Sequence, residues 1–182
     1  MAARRSVRAG AAALALLAAA CRSGGAGAGD GLTTASAPDT VRGIVSLRGS
    51  EPLTTVVVTP VGSPGDPVVP RGTELALLRS VAGLEVVLAG RRSEDRVLEA
   101  GPRGAVAFDL ERFLVRAADG QPARDGVLGE DAGRYELIAA DGTRTPIVAL
   151  PPALQSQVGA RIYLVGPPDR APSSYGIIRA AR

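Results

Sequence analysis

The chain has 182 residues, with 21 basic against 18 acidic side chains and a formal net charge of +3. Every basic residue is arginine, and lysine, histidine, asparagine and tryptophan are absent. Those absences exclude a Ser-His-Asp triad, an imidazole metal ligand, a lysine Schiff base and a phosphate-loop lysine, leaving carboxylate chemistry or an oxygen-ligated cation site.

In chain order, residues 1–8 carry Arg4, Arg5 and Arg8 and no acid. Residues 9–20 are small or apolar and end Leu16-Leu17-Ala18-Ala19-Ala20, directly before Cys21, the only cysteine. A basic end, a short apolar middle and small residues at a cut define a secretory signal peptide. The run is too short for a spanning helix, which takes ~20 apolar residues. From Cys21 onward 18 arginines face 18 acids, so the mature segment is neutral and its charge predicts no nucleic-acid partner.

The small residues before Cys21 resemble the lipobox of bacterial lipoproteins, with Ala18 where the commonest pattern has leucine. The resemblance implies cleavage after Ala20, a diacylglyceryl thioether on Cys21 and an acyl group, such as palmitate, on its amine. Two or three such chains give a stable membrane anchor, where a single chain binds only marginally. The implied location is extracytoplasmic. In a two-membrane bacterium, Arg22 rather than aspartate after the cysteine implies the periplasmic face of the outer membrane. An acylated Cys21 is neither a thiol nucleophile nor a zinc ligand.

Residues 21–39 then read as the lipidated cysteine followed by a flexible Gly/Ala/Ser tether. Beyond it, short runs rich in Val, Ile, Leu and Thr alternate with Gly, Pro and Asp, the pattern of an all-β fold. Strands are predicted near 41–48, 53–59, 73–79, 84–89, 105–109, 112–117, 126–128, 134–140, 143–149, 160–165 and 174–179. Asp141-Gly142 predicts a two-residue hairpin turn, and Asp119-Gly120 punctuates the chain similarly. Residues 151–158, opening on proline, predict a helical turn. The loop 61–72, with its prolines, predicts a semi-rigid protrusion.

A weak internal repeat organises these elements. GLEVVLAG at 83–90 aligns with GARIYLVG at 159–166, 71–78 with 141–148, and 41–45 with 124–128. The resulting order resembles the five-stranded OB-fold barrel written twice, over 40–118 and 119–182. The expected architecture is therefore two small OB-like barrels in tandem, with one larger barrel or a sandwich as the alternative.

The resemblance implies binding through the loops joining strands one and two, at 48–52, and strands four and five. The latter holds Arg91, Arg92, Glu94, Asp95 and Arg96, the densest charge cluster, suited to an acidic or mixed-charge partner. Glu94-Asp95 and Glu130-Asp131 are adjacent acids, and neighbours on a strand point to opposite faces, so neither forms a ready catalytic dyad. Asp119 to Gly126 lacks the alternating oxygens of a calcium loop. Gly62-Ser63-Pro64-Gly65 lacks the strand-turn-helix setting of a nucleophile elbow. Tyr135 and Tyr163 are expected to pack inward or to cap the barrel ends. No catalytic residue, metal ligand or cofactor is expected. The expected function is that of a non-enzymatic envelope lipoprotein contacting other envelope proteins. The alternatives are capture of an oligosaccharide or small ligand, which needs Tyr and Arg in one groove, and a two-carboxylate hydrolase.

Overall fold

Val41, Gly43 and Val45 are buried while Arg42 and Ile44 between them are exposed, the period-two signature of a half-buried strand. The computed structural model describes residues 38–62, 64–96 and 104–181. Within them the first five strands are β1 (Asp39–Arg48), β2 (Thr55–Pro60), β3 (Val68–Arg71), β4 (Glu85–Arg96) and β5 (Val106–Ala118), with helix α1 (Leu75–Arg79) between β3 and β4. There follow β6 (Gln121–Asp131), β7 (Arg134–Ile138), β8 (Arg144–Pro146), a 3-10 helix (Pro152–Gln157), β9 (Arg161–Val165) and β10 (Ser174–Arg179). The fold is all-β, as expected. No helix among the described residues is long and apolar enough to cross a membrane.

The first five strands close a circuit. β1 pairs with β2, β2 with β3, β3 runs parallel to β5, β5 pairs antiparallel with β4, and β4 returns to β1. Val45, Val58, Val68, Val86, Leu88, Phe108 and Val115 fill the interior, joined by Leu78, the buried residue of α1. Each such side chain, fully buried, contributes about 1.5–3 kcal/mol.

The second five strands repeat the order but not the closure. β6 pairs with β7, β7 with β8, β6 with β9 and β9 with β10. No pairing joins β8 to β10 among the described residues, so the expected second closed barrel is an open, curled sheet. Leu128, Leu137, Leu154, Ile162 and Leu164 form its own core. β8 is only three residues long and ends in Pro146, which has no N–H to offer a further neighbour.

The repeat holds down to single hydrogen bonds. Val45 donates to the Leu84 carbonyl at 3.0 Å and accepts from Gly83 at 2.8 Å. Leu128 donates to the Ala160 carbonyl at 2.9 Å and accepts from Gly159 at 2.8 Å. Two residues upstream, a Cβ on Gly43 would lie 2.5 Å from the Thr59 carbonyl oxygen, and one on Gly126 2.6 Å from that of Ile138. Only glycine lets the paired strand cross that closely.

Four expectations are corrected. Residues 75–79 are helical, not a strand: Leu75 and Leu78, one turn apart, pack on the core, and no residue of that run is β-branched. The supposed loop 61–72 contains β3, whose Val68 and Val69 are buried against β5. Residues 105–109 and 112–117 are one strand, because the extra residue at Glu111 is absorbed as a bulge against β4. Arg91, Arg92, Glu94, Asp95 and Arg96 are not in a loop; they extend β4, which pairs with β5 as far as Arg96↔Val106. The middle alignment of the repeat also shifts, since α1 corresponds in order to the 3-10 helix rather than to 141–148.

The halves meet without a linker. Ala118 pairs with Gln121 across Asp119 and Gly120, both at positive φ, 47° and 75°, the geometry of a tight hairpin. Ala123, Val165 and Ile178 of the second half belong to the same hydrophobic cluster as the barrel interior, and the described residues form one compact unit.

Candidate functional site

β5 loses its neighbour midway. On the side away from β4 it pairs with β3 as far as Asp109 and with β6 only from Ala117. Two side chains of the second half fill the gap. The Val115 N–H donates to Asp125 Oδ2 at 2.9 Å, and Arg161 Nη2 donates to the Phe113 carbonyl. Asp125 and Arg161 hold one another in a two-pronged fork, Nε to Oδ1 at 3.0 Å and Nη2 to Oδ2 at 2.8 Å. Together they present a donor and an acceptor to β5 as a strand would.

Register explains why they meet. Asp125 lies opposite Tyr163, two residues beyond Arg161 on β9, so the two side chains are diagonal neighbours on one face. Arg161 also stacks on the Phe113 ring, 4.5 Å to its centroid, and reaches Glu74 at 3.5 Å. The side chains of Arg161 and Asp125 are only 13% and 3% exposed. A buried charge this well partnered is neutralised and positional rather than reactive.

A cleft opens beside this cluster, between the outer face of β5 and the β7–β8 turn. Arg112, Leu114 and Arg116 line one wall and Ala139, Ala140 and Asp141 the other, enclosing about 270 Å³. An adjoining hollow of about 230 Å³ reaches Phe113 and Arg161. Arg112 and Arg116 are exposed and make no ion pair among the described residues. The acids are already engaged: Asp125 holds Arg161, and Asp141 Oδ1 accepts the Thr143 N–H at 2.9 Å. That hydrogen bond holds the Asp141 carboxyl below the usual carboxylate range. The wall of β5 therefore offers charge, apolar, charge on alternate residues, ready for an acidic partner.

The sequence-derived candidates fall elsewhere. Cys21 and Ala20 lie outside the described residues, as do Ser63 and 97–103. Arg92 lines a groove of about 240 Å³ with Pro64 and Gly65, so this one residue of the charge cluster shares a surface with the proline loop. The Arg92 N–H donates to Asp39 Oδ2 at 3.1 Å, while Arg91 pairs loosely with Glu111 at 4.0 Å. The first inter-strand loop borders another groove, of about 590 Å³, through Pro52 and Thr54, across from Leu75 and Arg79. Tyr135 packs partly buried on the second core and shares a groove of about 200 Å³ with Arg134 and Pro146. Tyr163 packs against the first cluster. Glu130 and Asp131 end β6, at the turn into β7.

Arg161, Asp125 and Glu74 escape a reading for motifs, because they are scattered singletons. The repeat carries the missing signal. Aligned on Val45 and Leu128, Arg42 matches Asp125; aligned on Gly83 and Gly159, Glu85 matches Arg161. Arg42 and Glu85 form an ion pair at 2.5 Å. Each half thus keeps the same diagonal pair with its charges exchanged, and only the second is buried. No known protein family, curated protein or solved structure matches the chain.

Proposed function

We propose that the protein is a non-enzymatic, lipid-anchored envelope protein of two OB-like halves, the first closed and the second open, that contacts other envelope proteins. The leader, Cys21 and the Gly/Ala/Ser tether support the anchor and the extracytoplasmic location. The return of the fifth strand to the third, with a helix between the third and fourth, supports the OB-like reading. The observation that carries the contact role is the junction cleft, where Arg112 and Arg116 flank Leu114 with no ion-pair partner among the described residues.

Crosslinking in membranes of the native host tests it. The parent chain is expected to capture specific envelope partners, and Arg112→Glu with Arg116→Glu to lose them while folding normally. Repeated captures without a specific partner contradict the contact role; identical captures from parent and variant contradict the cleft. The groove joining Arg134 and Tyr135 favours a second reading, capture of an oligosaccharide, since it unites the two residue types that reading needs.

A further inference from the structure

β6 turns Arg124 toward the interior of the second half, and the first half shows what that position ordinarily holds. The alignment that matches Val45 with Leu128 matches Val41 with Arg124. Val41 is 3% exposed, a core residue of the closed barrel. Arg124 is different: its Nε and Nη1 are buried and find no hydrogen-bond partner among the described residues. Burial pushes its guanidinium below the ordinary arginine value. A buried donor without a partner is destabilising and calls for an explanation, more so where a valine packs well in the sister half.

The same face carries a second irregularity. Arg124 lies opposite Leu164, and Leu164 opposite Tyr175, so the three form a row across β6, β9 and β10. Leu164 and Ile162 are 0% exposed, yet their neighbours Tyr175 and Ile177 are 37% and 44% exposed. That exposure follows from the missing β8–β10 pairing, which leaves the inner face of β10 uncovered. A guanidinium without an acceptor thus shares one face with an uncovered aromatic and aliphatic strip.

We propose that this open inner face binds a small amphipathic carboxylate. The carboxylate supplies the acceptor that the buried Nε and Nη1 lack, the Arg124 side chain swinging outward on binding so that its planar donors match the two oxygens. The apolar body of the ligand covers Tyr175 and Ile177 in place of the strand that closes the first barrel. The site is separate from the junction cleft, which lies on the other face of β6 with Asp125, and it does not depend on the lipid anchor.

The test uses the chain from residue 22 onward, which lacks both the apolar leader and Cys21, the proposed acylation site, and keeps the whole compact unit. It is titrated calorimetrically with 4-phenylbutyrate and with 4-phenylbutanol, a neutral ligand of similar shape. The parent is expected to bind phenylbutyrate. Arg124→Val, which installs the residue of the first half, is expected to weaken that binding at least about tenfold while leaving phenylbutanol unchanged. Arg124→Val is also expected to unfold at a higher temperature without ligand, because a poorly partnered charge gives way to apolar packing. Failure of the parent to bind phenylbutyrate up to roughly 10 mM overturns the proposal. Equal binding by parent and Arg124→Val overturns it too, and leaves Arg124 as a core residue with a solvent-facing tip.

Discussion

Arg161 engages four groups at once: the Asp125 carboxylate, the Phe113 carbonyl, the Phe113 ring and Glu74. Removing Asp125 strands that guanidinium in a half-dry junction and also frees the Val115 N–H. Asp125→Ala is therefore expected to cost about 3–5 kcal/mol in denaturant unfolding. Replacing both partners by apolar residues, Asp125→Leu with Arg161→Met, would be near neutral if the pair served only itself. Here it is expected to stay destabilising by about 2 kcal/mol or more, because two backbone groups of β5 remain unpaired. The sister pair supplies the control. Arg42 is 64% exposed, and loss of the Arg42–Glu85 pair is expected to cost less than about 1 kcal/mol. Equal penalties at the two sites would contradict the role given to Asp125 and Arg161 as a substitute strand.

At the scale of elements, the β7–β8 turn is the most completely determined by local chemistry. Gly142 takes positive φ, Ala139 accepts its N–H, and Asp141 accepts that of Thr143. Because the Asp141 carboxyl is held below its unfolded value, its ionised form supports the fold above that value, and the support fades as pH falls through the folded one. Asp141→Ala is expected to melt below the parent at neutral pH, with the gap narrowing below about pH 4. A constant gap would show that the carboxylate charge has no part in holding the turn. The place of this turn was legible in Asp141-Gly142 but its length was not. Ala139 donates to the Thr143 carbonyl, so three residues span it rather than the expected two, whereas Asp119-Gly120 is the two-residue turn its sequence announces. The helix at 75–79 was not legible, since four apolar residues in a row suit a strand as well as a helix turn, and burial of Leu78 beneath the barrel settles it. The extension of β4 through Arg96 was likewise hidden: its charged residues look like a loop, and pairing with β5 makes them a strand. The open side at β8–β10 depends on a strand of three residues, too short to read from pattern.

For the whole molecule, the repeat was the most informative signal in the sequence, and its outer segments fall on equivalent hydrogen bonds. What it left hidden was divergence between the halves: an exchanged ion pair, a core valine replaced by Arg124, and a circuit that closes only once. Each arises where one half meets the other or meets solvent, so no single segment encodes it. The junction cleft is a product of that divergence, and its proposed use at a membrane depends on Cys21. Mass spectrometry of the N-terminal peptide, from protein made in its native host, tests that claim most directly. The account predicts a peptide beginning at Cys21 and carrying a diacylglyceryl group; a peptide beginning at Met1, with the Cys21 thiol free, would contradict it.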